Sequence, residues 1–346
     1  MNALLREIDL RRAYLADERI ETIYFGGGTP SLLSALEIQT ILLHLRASFT
    51  VATMAEITLE ANPDDISAEA LQSWRSSGIN RLSIGLQSFN EQELKWMNRA
   101  HTAAQSLQSV QLAQQYGFHN ITIDLIYGSK FQSLESWEQT LETTLHLGIQ
   151  HISAYNLTVE ERTRLGNAVV KGKEPEVNED LSSAQFLLLS QLLRSKGFQH
   201  YEISNFALPG FEAQHNSNYW RQERYLGLGP SAHSFNGNNR QWNVRNNPLY
   251  IRSLENGELN FEMESLSPRD LYNEYVMTRL RTSWGCDLKE IEARFGTPIL
   301  HHFEKVLEDY PADFVRKDRV VVLNDLARLR ADGIASTFFI LEETAD

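Results

Sequence analysis

The sequence is poor in cysteine, with Cys286 the one such residue in a chain of 346. A lone thiol excludes an intramolecular disulfide framework and any multi-cysteine zinc or iron–sulfur site built by this chain alone. Long apolar runs are missing as well. No stretch approaches the roughly 18 consecutive apolar residues of a membrane-spanning helix. Glu7 and Asp9 stand where a signal peptide needs an apolar run, so a soluble, cytoplasmic protein is expected. Positive charge is in deficit: 45 acidic against 32 basic residues give a net charge of −13. That balance argues against nonspecific binding to nucleic acid or to an anionic membrane surface. The chain also lacks low-complexity segments and the glycine spacings of a Walker loop or a dinucleotide fingerprint.

What remains is ordinary globular composition, 42% hydrophobic and 22% charged, in a length that suggests about two domains. A recurring junction organises the first half: Gly78-Ile79-Asn80-Arg81, Gly117-Phe118-His119-Asn120, Gly148-Ile149-Gln150-His151 and Gly197-Phe198-Gln199-His200. Each follows a helix-periodic segment and precedes a short apolar run, the signature of a helix ended by a left-handed glycine that leads into a strand. The strands so marked are 82–86, 121–126, 152–157 and 201–204, joined by earlier runs at 20–25 and 56–60. Capping boxes are predicted at Ser34 with Glu37 and at Asn90 with Glu93.

Alternating strands and helices predict an α/β fold with a parallel sheet and right-handed crossovers, as an open doubly wound sheet or as a barrel. Within strands, aliphatic positions such as Leu82, Ile84 and Leu86 alternate with Ser83, Gly85 and Gln87. Small and polar residues on one face suggest a full or partial barrel with room for a ligand. The expected division is a βα core over 1–205, a loop-rich segment over 206–250, and a small, mostly helical, winged-helix-like domain over 251–346 with a strand at 320–323 and a helix from Asn324.

The strand at 20–25 runs into Gly26-Gly27-Gly28-Thr29-Pro30, where exposed N–H groups could meet a ligand or simply make a tight turn. Polar residues recur at the carboxyl ends of the other strands: Glu60 with Asn62, Gln87 with Ser88, Asp124 with Tyr127, Tyr155 with Asn156, and Glu202 with Asn205. That face binds ligands in βα architectures, although any one of these residues could serve as a local cap. The densest polar and aromatic cluster is His215-Asn216-Ser217-Asn218-Tyr219-Trp220, followed by Tyr225 to Ser234. Imidazole can ligate heme iron and aromatic rings can pack on a macrocycle; a loop pinned by Tyr219 and Trp220 is the alternative.

Gly26 to Pro30 after Tyr24-Phe25, the stretch Glu56 to Pro63, Arg81 to Phe89, and Ile123 to Gly128 resemble the radical S-adenosylmethionine proteins related to oxygen-independent coproporphyrinogen III oxidase. Tyr201 to Ala207 and the HNxxYW stretch resemble the HemW heme chaperones within that group. The resemblance implies a partial (βα) barrel, S-adenosylmethionine contacts at Gly27, Gly28, Thr29, Glu60, Gln87, Arg99 and Asp124, and heme binding at His215, Asn216, Tyr219 and Trp220. It implies no catalytic residue in this chain.

Such proteins carry a CxxxCxxC loop for a 4Fe-4S cluster after a first strand, upstream of the helix that here begins at Asn2. This chain has neither that strand nor those cysteines, so the cluster is expected only in an N-terminally complete version, and no metal ligand is assigned here. Ser129-Lys130-Phe131 also departs from the usual Leu-Pro-Gly turn. The implied function is heme carriage to recipient hemoproteins rather than catalysis. Porphyrin biosynthesis by a coproporphyrinogen oxidase and an inactive remnant are the alternatives, with dimerisation left open.

Overall fold

The computed structural model describes residues 1–15 and 18–341. Its main sheet contains β1 (Ile20–Phe25), β2 (Val51–Ala61), β3 (Arg81–Gln87), β4 (Ile121–Tyr127), β5 (His151–Asn156), β6 (Gln199–Glu202) and β7 (Asn205–Ala207). The strand order is β1-β2-β3-β4-β5-β7-β6. Strands β2 through β5 pair in parallel, as the sequence predicts, and the sheet is the curled partial barrel expected of the α/β reading. Its last two strands depart from that pattern. Residues 203 and 204 turn the chain back on itself, so β7 lies between β5 and β6 and pairs antiparallel with both. With two residues between the strands a hairpin is the sole option, because a parallel return needs a crossover of a dozen or more residues.

The connections are α1 (Asn2–Leu10), α2 (Ala35–Ser48), α3 (Ala68–Ser77), α4 (Glu91–Trp96), α5 (Ala103–Gln115), α6 (Leu134–His146), α7 (Arg164–Val170) and α8 (Glu179–Ser195). The junction glycines Gly78, Gly117, Gly148 and Gly197 all have positive φ, from 64° to 103°, so the left-handed helix stop read from sequence is present each time. Asn90 caps α4 by accepting from the backbone of Gln92 and Glu93. The predicted reciprocal half of that capping box is absent: Glu93 is buried and accepts from Gln132 instead, and Ser88 takes the Asn90 N–H. Packing a side chain into the core outweighed a local cap.

The rest of the chain adds α9 (Gln214–Trp220), a sheet of β8 (His233–Phe235), β9 (Asn239–Asn243) and β10 (Phe261–Ser265), and α10 (Asn247–Glu255). It continues with α11 (Pro268–Leu280), β11 (Cys286–Asp287), α12 (Leu288–Phe295), α13 (Thr297–Leu307), β12 (Phe314–Lys317), β13 (Val320–Leu323), α14 (Asp325–Arg328) and α15 (Ala331–Thr337). Strands β11, β13 and β12 form a small antiparallel sheet, and Asn324 caps α14.

Two compact units result, each assembled from separate stretches of chain. One comprises Tyr24–Ala35 and Ile57–Ala213; the other comprises Met1–Ile23, Leu36–Glu56 and Gln214–Asp346. In the first, Leu82, Ile84, Leu86, Ile121, Ile123 and Leu125 are buried together with Trp74 and Trp137 of the helical layer. The Trp137 indole donates to the Gln185 carbonyl at 3.1 Å, which joins α6 to α8. In the second, Glu7 at 1% exposure accepts from Asn243, Tyr250 and the Gly229 N–H, which fastens α1 to residues more than 220 positions away.

Candidate functional site

In the unit of Tyr24–Ala35 and Ile57–Ala213, the carboxyl end of β2 braces the glycine turn. Glu60 accepts from the Tyr24 hydroxyl at 2.7 Å and from the Gly27 N–H at 3.3 Å. A Cβ on Gly26 would lie 2.5 Å from the Tyr24 ring and 3.0 Å from the Glu60 carboxylate, so glycine is required there. Gly27 and Gly28 have φ of 76° and 72°, and nothing lies within 4 Å of where their side chains would be. Backbone of this kind, open on one side and braced on the other, is a cradle for a ligand's charged group. Thr29 follows it, exposed.

Gln87 ends β3 with φ of 68°, past a register shift against β4. Arg99 reaches over the strand and donates to the Gly85 carbonyl at 2.9 Å and to Asn62 at 3.1 Å; a Cβ on Gly85 would be 3.0 Å from the guanidinium. The Asp124 carboxyl is held by Ser153 and, at 3.5 Å, by Ser83. Burial, followed by the negative charge of Glu60, pushes it up to about 6 against the hydrogen bond from Ser153, which lowers it.

The resemblance implies Gly27, Gly28, Thr29, Glu60, Gln87, Arg99 and Asp124 as contacts, and all fall in this one unit. An open backbone turn, two carboxylates, an amide and a guanidinium suit a ligand that carries an ammonium, a carboxylate and a diol, as S-adenosylmethionine does. A three-thiolate iron–sulfur cluster does not fit this chain. Its one cysteine is fully buried with its thiol pushed far up by desolvation, and among the described residues no group of His, Cys, Asp and Glu could hold a metal ion.

Sequence reasoning missed a polar line across the same sheet. Arg81 donates to Thr122, whose hydroxyl meets His151 Nδ1 at 3.0 Å, and His151 Nε2 meets the Tyr201 hydroxyl at 2.7 Å. Burial holds the His151 imidazole well below its usual range, so it stays neutral. The polar alternation His151, Ser153, Tyr155 along β5 was the available signal. Beside the Ser129-Lys130-Phe131 departure lies a cavity of about 310 Å³ lined by Trp96, Lys130, Gln132, Leu165, Glu174 and Asn178, with Lys130 ion-paired to Glu174 at 2.5 Å.

The HNxxYW stretch belongs to the other unit and, within the segment expected to be loop-rich, forms a helix, α9. Seven residues of helix are too few to hold alone in water. The Glu56 carboxylate stabilises its start by accepting from the N–H groups of Gln214 at 3.1 Å and His215 at 3.0 Å. Helical spacing brings Tyr219 over His215: their rings meet edge to face at 5.0 Å, and the Tyr219 hydroxyl lies 3.0 Å from His215 Nε2. The opposite ring nitrogen, Nδ1, lies 2.9 Å from the Thr22 hydroxyl. Tyr219 packs on Tyr225, which packs in turn on the buried Phe235. Trp220 carries the Arg281 guanidinium 5.4 Å from its ring centre, and Asn216 sits half-buried in the first turn. Nothing in the sequence linked Thr22 or Glu56 to the motif, since both lie far from it along the chain.

Residues 4–144 match the radical SAM superfamily and residues 266–315 match the HemN C-terminal domain. The chain is 33% identical to the heme chaperone HemW of Lactococcus lactis, over 90% of this chain and 80% of that protein. It is 34% identical to the heme chaperone HemW of Mycobacterium tuberculosis, over 97% of this chain and 85% of that one. Mouse mitochondrial radical S-adenosyl methionine domain-containing protein 1 is 38% identical over 62% of this chain and 49% of its own length. Among solved structures, coproporphyrinogen III oxidase (HemN) from Escherichia coli superposes with a TM-score of 0.82 at 23% identity, covering 97% of this chain and 82% of that one, a likeness of fold. With its partial barrel, its glycine turn and two HemW relatives this similar over 80% or more of their length, the chain belongs to the HemW family of the radical S-adenosylmethionine superfamily.

Proposed function

We propose that this protein binds heme and delivers it to recipient hemoproteins. The observation that carries the reading is α9, which sets the His215 imidazole against the Tyr219 ring at the end of a row that continues through Tyr225 to Phe235. Imidazole supplies an iron ligand and the rings supply a surface for the macrocycle. Relatives named heme chaperones support the same assignment. Asn216 and Trp220 complete the proposed heme contacts.

S-adenosylmethionine is the proposed ligand of the cradle. Gly27, Gly28 and Thr29 would receive its charged end, with Glu60 and Arg99 as counter-charges, while Gln87 and Asp124 would hold its polar nucleoside. When held beside a cluster, this group supplies radical chemistry; the residues here bind and orient it. The proposed role of the cradle is control of heme carriage. No helix among the described residues is long and apolar enough to cross a membrane.

The test is an anaerobic hemin titration followed by absorbance, with the intact chain and His215→Ala in parallel. A saturable Soret band is expected, with affinity reduced roughly tenfold or more in the variant. Absence of a saturable band in the unsubstituted protein would refute heme carriage.

A further inference from the structure

Resting on the heme reading, we propose that Thr22 and Tyr219 hold His215 as a ligand in waiting: Thr22 fixes its tautomer, and the Tyr219 hydroxyl covers the iron-binding nitrogen until heme displaces it. The geometry is a three-residue line within one compact unit, Thr22 Oγ1 to Nδ1 at 2.9 Å and Nε2 to Tyr219 OH at 3.0 Å.

A neutral imidazole has one N–H and one bare nitrogen, so the two hydroxyls decide which is which. A phenol is a stronger donor and a poorer acceptor than an aliphatic hydroxyl. The favoured arrangement therefore has Tyr219 donating to bare Nε2 while Nδ1–H donates to Thr22. A phenol keeps its proton at neutral pH and so remains a donor there. A histidine whose Nδ1–H is tied to an oxygen presents Nε2 to a metal in a fixed orientation, which is how outer partners tune metal-bound imidazoles.

The displacement balances simply. The Nε2 lone pair leaves the Tyr219 O–H hydrogen bond and forms the bond to iron; the phenol keeps its proton, and Nδ1–H stays on Thr22. Tyr219 can move because it is 44% exposed and its ring touches its neighbours edge-on. The cover also leaves the ligand hydrogen-bonded while no heme is present, rather than open to other metal ions.

The first measurement needs no heme: nitrogen-15 shifts of the His215 ring in the full-length protein near pH 8 should report the Nδ1–H tautomer, and an Nε2–H tautomer would overturn the proposal. Hemin titrations then separate the two partners. Tyr219→Phe keeps the ring and removes the cover, so hemin should bind about fivefold more tightly with the same Soret position. Weaker binding by that variant would refute the cover. Thr22→Val should weaken binding about tenfold and shift the ligand-field bands, with Thr22→Ser restoring both; an unchanged spectrum and affinity in Thr22→Val would refute the tautomer role. Failure of unsubstituted protein to give a saturable band removes heme as the ligand, an outcome distinct from a wrong tautomer.

Discussion

Asp124 shows how a single side chain can be set for binding at a cost in stability. Its carboxyl titrates near 6 in the folded protein against 3.8 when exposed, chiefly because burial disfavours the charged form. Between those values the folded state holds more protons than the unfolded chain, so stability falls as pH rises through the window and levels off above about pH 6. Asp124→Asn keeps a partner for Ser83 and Ser153 and removes the titration. The variant should match the parent near pH 4 and exceed it by about 2 kcal/mol near pH 7. Urea unfolding across that range checks this, and a difference independent of pH would contradict it. Cys286 lies at the opposite extreme: fully buried, with its thiol pushed up by desolvation, it is an inert packing residue.

At the scale of an element, α9 has too few turns to sustain itself, and the Glu56 carboxylate takes the N–H groups that its first turn leaves open. Glu56→Ala leaves those donors without a partner. It should cost about 2 kcal/mol and weaken hemin binding by loosening His215, while S-adenosylmethionine affinity, read by calorimetry, stays unchanged. Equal losses in both ligands would show that the residue supports the whole fold rather than the helix. The cradle uses a different device. Gly26 and Gly85 are bare because Tyr24, Glu60 and Arg99 occupy the space where a Cβ would stand.

At the scale of the molecule, each compact unit is woven from distant stretches of chain. The unit with α9 depends on one buried carboxylate. Glu7 accepts from Asn243 at 2.6 Å, Tyr250 at 2.6 Å and Gly229 at 2.8 Å, and stands 3.7 Å from the Arg11 guanidinium, which itself donates to Gln241 and Asn243. Glu7→Ala would leave the buried Arg11 cation without its counter-charge and the donors of Gly229, Asn243 and Tyr250 without this acceptor. A loss of about 3 to 5 kcal/mol is expected, visible in calorimetry as a lower first transition. A change under about 1 kcal/mol would mean that water replaces the carboxylate.

The sequence by itself determined the parallel strands, their glycine stops, the glycine turn and the HNxxYW stretch as a candidate ligand, because each is written in contiguous residues through backbone conformation and strand and helix periodicity; that this stretch is a helix rather than a loop came from the structure. Only the tertiary structure decided the β6–β7 hairpin, the burial of Glu93, and the partners of His215 and of α9. Thr22 and Glu56 lie more than 150 residues before the groups they hold, and no local propensity encodes a hydrogen bond made across such a separation. Their roles exist because folding desolvates polar groups that must then find partners wherever the packing has placed them.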